Sequence, residues 1–344
     1  MARNMKKANI DFFTNICTAL EDNSIISQIP IATRYFATNA EEKEWLQHIT
    51  LKYQFQFSKD THALLLCYSN KQYICLVNID MDEQVDLSMF SEIDINAGII
   101  TFLGSEGFLT SNFSRSSRMT ILNEVLYDTN QVEYAGHVWQ DVERFFPIVR
   151  CFELDLTELD VDICENANVF YWLLCQVAYI SGACNNRYTK LSKDVWEKII
   201  FEGNLANIQY KNLLLAYTAL TWDISYLYLY QCLEDRFACL AVCLLHKKLA
   251  IDISEQELSH VLYDNLSWQP KDLEGIESII SKISKESVAI SLLTPLAKEQ
   301  KLEKWIYSMR NYIVHETRDA LIPLGDNHSW EMAIAGLIYI LIEM

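Results

Sequence analysis

The chain has 344 residues, 51% of them apolar, enough to bury a sizeable core in two domains or one large one. Glycine (9) and proline (5) are scarce, which favours helix and argues against a loop-rich sandwich. A formal net charge of −18 argues against a non-specific nucleic-acid binder, whose footprint is basic.

The acidity is spread along the chain. Residues 1–160 hold 12 basic and 23 acidic groups, net −11, and the rest hold 16 and 23, net −7. Residues 8–25 read as a short amphipathic helix, with Ile10, Phe13, Ile16 and Leu20 as its stripe. A second helix is expected over 40–50. The period then changes: Tyr53, Phe55 and Phe57 alternate with polar neighbours, as in a half-buried strand. His62 to Tyr68 and Gln72 to Ile79 read as a hairpin turning at Ser69-Asn70-Lys71. Ile99 to Leu103, followed by Gly104 and Gly107, predicts a further strand and turn. Ser111 to Arg118 is polar and reads as a loop, and 119–128 fits no single pattern. Phe145 to Val149 is expected to be extended, because Pro147 disfavours helix before it. The fold class is α+β, with a small mixed domain over 1–155 and a helical domain over 165–344. Glu153 to Glu165 is the most acidic stretch and reads as a solvated linker between them; a calcium loop would need closer oxygen spacing and a glycine at the turn.

From about residue 167 the pattern is helical. Helices are expected over Asn168 to Ser181, ending near Gly182 and Asn185-Asn186, and over Ser192 to Phe201 with Ser192 as the cap. Asn207 to Leu249 is too long for one ordinary helix and is expected to break near Thr221-Trp222-Asp223. Ser254 to Tyr263 begins with a capping-box spacing, Ser254 to Glu257. Asp272 to Ile283 is the next helix. Another is expected from near Ala297 to Thr317, then a loop, then a strongly apolar helix over Ser329 to Met344. The ten cysteines lie mostly in apolar runs, and none has the two-residue spacing of a zinc knuckle. Met1 to Lys7 is basic, but the residues after Lys7 are amphipathic rather than a signal core. No apolar run reaches about 18 residues. These features predict a cytoplasmic protein with free, buried thiols and no membrane partner.

The most informative stretch is Lys301 to Arg318. Leu302, Trp305 or Ile306, Met309 and Ile313 form an apolar stripe at helical spacing. Asn311 and His315 are four apart and share a face. Arg310 is five before His315, roughly 140° around the axis. One helix therefore does not easily aim both at one bond, whereas two copies about a two-fold axis can. Arg310-Asn311-Tyr312-Ile313-Val314-His315, late in a helical domain, resembles the Arg-polar-x-x-x-His motif of the HEPN superfamily. The resemblance covers at most the last 180 residues.

The resemblance implies a metal-independent endoribonuclease, dimeric through this domain, that leaves a 2′,3′-cyclic phosphate and needs no cofactor. An α/β domain followed by such a bundle is similar to the toxin and anti-phage abortive-infection members of that family, which cut RNA, often tRNA. The residue types suit the chemistry. Histidine titrates near neutrality and can carry the proton between the 2′-hydroxyl and the leaving oxygen. Arginine grips non-bridging phosphate oxygens with a permanent charge. The catalytic candidates are therefore Arg310, Asn311 and His315, with Glu234 placed upstream to orient Arg310 or His315. Tyr312, Arg318 and His328 are candidates to contact RNA, Tyr312 by stacking a base. Two other readings stay open. One is a non-catalytic helical adaptor in which Arg310 pairs with an acidic residue such as Glu234. The other is a toxin held inactive by an antitoxin partner, or released by a phage trigger protein.

Overall fold

The computed structural model describes residues 3–20, 34–81, 89–110, 118–127, 134–157, 163–182, 190–205, 207–253, 255–266, 271–315 and 324–344. The chain divides into two compact units, Met1–Cys164 and Glu165–Met344.

The first unit is a five-stranded sheet with flanking helices. Helix α1 (Met5–Ala19) starts at Asn4, whose side chain accepts from the Lys7 amide, and it buries Phe12, Phe13, Ile16 and Cys17. Helix α2 (Ala40–His48) opens on a full capping box between Asn39 and Glu42. Strands β1 (Thr50–Ser58), β2 (Thr61–Tyr68) and β3 (Lys71–Val77) then run antiparallel. The β1 burial alternates residue by residue, as its Tyr-Phe-Phe spacing predicts. Ser69 and Asn70 both take positive φ between the paired residues Tyr68 and Lys71, so the expected hairpin turns on two residues of the type that matches strand twist. Strand β4 (Phe90–Ile93) precedes helix α3 (Ala97–Ser105), and β5 (Val149–Leu154) inserts between β3 and β4, giving the order β1-β2-β3-β5-β4. The middle of β2, Ala63 to Leu66, is fully buried on both faces.

Two expectations need correction here, and one stretch that fitted no pattern takes a definite form. Ile99 to Leu103 is helix, not strand. Asn96 caps α3 by accepting from the Ile99 amide, and every residue from Ala97 to Gly104 is buried, so the run carries no period to read. The described part of 119–128 is a short helical turn, Arg118–Thr120, that runs into a π-helix, Ile121–Tyr127. Phe145 closes a 3-10 turn, Glu143–Phe145, and the extended backbone becomes a strand only from Val149. The end of the expected 8–25 helix, the loop from Ser111 to Ser117 and Glu158, Asp160 and Asp162 of the acidic stretch lie outside the described residues.

The second unit is helical throughout its described residues. Its helices are α4 (Ala167–Ile180), α5 (Lys190–Glu202), α6 (Tyr210–Thr218), α7 (Trp222–Leu249), α8 (Glu255–Leu266), α9 (Asp272–Ile280), α10 (Val288–Ala297), α11 (Leu302–His315) and α12 (Asn327–Glu343). The long apolar region breaks where expected, between α6 and α7, and the Ser225 hydroxyl donates to the Ala216 carbonyl across that corner at 2.8 Å. Asn168 ties α4 to the next connection: its amide donates to the Leu205 and Ile208 carbonyls, and its oxygen accepts from the Tyr210 amide. Ser192 is not a cap but lies inside α5, buried. A helix not expected from the sequence, α10, keeps Pro295 in its last turn, and α11 starts at Leu302 rather than near Ala297. The last helix, α12, packs on α10, α5 and α7. Gly336 permits this: a Cβ there would lie 2.4 Å from Leu293 Cγ. Asn185-Asn186 and Ser254 lie outside the described residues.

Candidate functional site

Helices α7, α9 and α11 pack against one another in the second unit. On α11 the apolar stripe buries Trp305, Ile306 and Met309, each at 1% exposure or less. On α7, Tyr226, Tyr230 and Glu234 are four apart and share one face. These two series meet. The Tyr226 hydroxyl, fully buried, donates to the Ile306 carbonyl at 3.1 Å. One turn further along both helices, the Arg310 guanidinium lies 6.0 Å from the centre of the Tyr230 ring. Its Nη2 is 3.9 Å from Glu234 Oε1. Its Nη1 donates to Asn311 Oδ1 at 3.1 Å. Gly275 lets α9 approach closely, since a Cβ there would meet Phe237 Cγ at 2.4 Å.

The electrostatics are mixed. Arg310 and Glu234 side chains are 28% and 33% exposed, so their ion pair is part-screened and contributes about 0–1 kcal/mol. Burial raises the Glu234 carboxyl above the ordinary 4.5, and the nearby charges of Asp272 and Asp235 push the same way. Arg310 opposes them without prevailing, because at 3.9 Å it makes no close hydrogen bond. Burial likewise pushes the Tyr230 phenol well up, so it stays a neutral donor. The Tyr230 hydroxyl is buried and has no hydrogen-bond partner among the described residues. A carboxyl whose titration burial raises, beside a permanent cation, is the kind of pairing found where protons are moved.

The structure thus brings Arg310, Asn311 and Glu234 together. His315 is the last residue of α11, exposed, and roughly 140° around the axis from Arg310. Tyr312 is half-buried on the same helix. His328 is exposed in the first turn of α12. Its neighbour Asn327 accepts from the Trp222 indole at the start of α7, and Trp222 is roughly 18 Å along that helix from Glu234. Arg318 lies outside the described residues. Sequence reasoning missed Tyr226, Tyr230 and Asp272. The four-residue spacing of Tyr226, Tyr230 and Glu234 was the signal for the first two; nothing local marked Asp272.

Among the described residues no group of three or more His, Cys, Asp or Glu side chains could hold a metal ion. No described helix is long and apolar enough to cross a membrane. Compared with protein-family models, with curated proteins and with solved structures, the chain matches none.

Proposed function

We propose that the chain is a metal-independent endoribonuclease of the HEPN type, acting as a toxin or in abortive infection, with RNA cut at a site shared by two copies. The observation that carries this reading is the division of α11: Trp305, Ile306 and Met309 anchor one side, while Arg310 remains part-exposed and His315 exposed. Arg310 would hold the scissile phosphate and His315 of the second copy would carry the proton. Asn311, bonded to Arg310, would set the guanidinium plane. Glu234 would occupy Arg310 until a phosphate, with more charge and two matching oxygens, displaces it. Such a displacement suits a chain whose net acidity otherwise repels RNA.

The test is cleavage of total RNA and tRNA by the purified protein in EDTA. His315→Ala is expected to abolish cleavage while circular dichroism and oligomeric state stay unchanged. Cleavage that persists in that variant, or that requires a divalent metal, overturns the mechanism. The Arg310–Glu234 contact also favours a second reading, a non-catalytic adaptor in which the pair only links α7 to α11. That reading expects no RNA cleavage by the native protein and no functional effect of His315→Ala.

A further inference from the structure

The first unit contains two half-exposed thiols that the nuclease reading does not use. Cys67 lies near the end of β2, and its carbonyl accepts from the Thr50 hydroxyl of β1 at 3.2 Å. Cys164 lies in the turn that closes the first unit, next to the buried Ile163. Its carbonyl accepts from the Tyr53 hydroxyl at 3.1 Å. Both cysteines are therefore held by their backbones to the same strand. Their sulfurs are 3.1 Å apart, although 97 residues separate them in sequence. Closing that gap to a bonded length of about 2.05 Å requires a shift of about 1 Å.

Accessibility distinguishes this pair from another pair of neighbouring cysteines. Cys75 and Cys151 face each other across β3 and β5, and both are fully buried. The hydrogen bond with Cys75, together with burial, raises the Cys151 thiol well above its ordinary value, and burial alone pushes Cys17 up to about 11. Such thiols neither ionise readily nor meet a solvent oxidant. Cys67 and Cys164 are part-exposed and already in contact.

We infer that Cys67 and Cys164 form a reversible redox modification site, oxidised to a disulfide by hydrogen peroxide. In the first step one thiolate attacks the peroxide oxygen. The O–O bond breaks, one water leaves after protonation, and the sulfur becomes a sulfenic acid. In the second step the other thiol attacks that sulfur, the S–O bond breaks, the S–S bond forms and a second water leaves. Two thiols are oxidised and one hydrogen peroxide is reduced. The bond ties the turn before α4 covalently to β2. A dithiol reductant reverses it.

The full chain is treated with hydrogen peroxide, digested without reduction, and mapped by mass spectrometry, with free thiols counted in parallel. The expected result is a linked peptide joining Cys67 to Cys164, a loss of two of the ten thiols, and full recovery with dithiothreitol. Cys164→Ser is expected to remove both the linked peptide and the paired thiol loss. The linked peptide is read on the native chain, so a variant that fails to fold leaves the result intact. Absence of that peptide, a dominant linkage between other cysteines, or unchanged thiol loss in Cys164→Ser overturns the inference. None of these readouts depends on RNA cleavage.

Discussion

Arg310 sits between a carboxyl, a phenol ring and an amide, and each restrains it differently. Glu234 offers charge at 3.9 Å, Tyr230 a ring face at 6.0 Å, and Asn311 an oxygen at 3.1 Å. None is close and buried enough to hold a guanidinium permanently, since strong pairs need short, bidentate, desolvated geometry. The firm contact is one turn earlier, where Tyr226 donates to the Ile306 carbonyl inside the core. That carbonyl already serves the helix ladder, so losing the phenol leaves no wholly unpaired group behind. Tyr226→Phe is accordingly expected to cost about 1 kcal/mol in urea unfolding, with an unchanged m-value. A loss several times larger would mean that the hydroxyl, and not the aromatic packing, holds α11 in place.

At the scale of elements, edge strand β4 is short and has one partner, β5. Arg150 on β5 secures it. Its Nε and Nη2 donate to the two Glu92 oxygens at 2.8 and 2.6 Å, and its Nη1 donates to the Met81 carbonyl. The Arg150 hydrogen bond holds the Glu92 carboxyl below the ordinary 4.5. A lowered folded-state value means the stabilisation is present above the ordinary range and is lost as pH falls through the lowered value. Glu92 is half-exposed, so solvent limits the effect to about 1 kcal/mol. The stability gap between the native chain and Glu92→Gln is therefore expected at neutral pH and expected to vanish below the carboxylate range. Faster amide exchange confined to β4 in the variant would locate the effect. A gap that widens in acid would refute this assignment.

For the whole molecule, the proposed reading asks a chain of net charge −18 to act on a polyanion, which its own field opposes. A dimer with two such shared sites would bring both Arg310 side chains to one cleft, one at each site, and concentrate positive charge where the single chain has little. Sharing makes a further test possible. Arg310→Ala and His315→Ala chains, each inactive alone, are mixed, dissociated and reassociated. A mixed dimer keeps one site with both groups, so roughly a quarter of native cleavage is expected to return under random pairing. No recovery, with dimers present, would mean that each chain supplies both groups to its own site.

How much of this was legible in the residues depends on the range of the forces involved. The alternation of Tyr53, Phe55 and Phe57, the Ser69-Asn70 turn and the break between α6 and α7 are local, and the residues alone determined them. The run from Ala97 to Gly104 was not legible, because a helix buried on all sides shows no period. Strand β4 and helix α10 were missed for a related reason. The first is four residues long, and the second carries a proline in its last turn, which reads as a stop. Arg310, Asn311, His315 and Glu234 were named through the resemblance to the HEPN motif, which spacing on one helix made recognisable but did not by itself establish. Only tertiary packing decided that Glu234 stands beside Arg310, that Tyr230 lies beneath it, and that Cys67 touches Cys164. Such meetings depend on which helix or strand face the core selects, and that choice is made by burial over the whole unit rather than by any one stretch of chain.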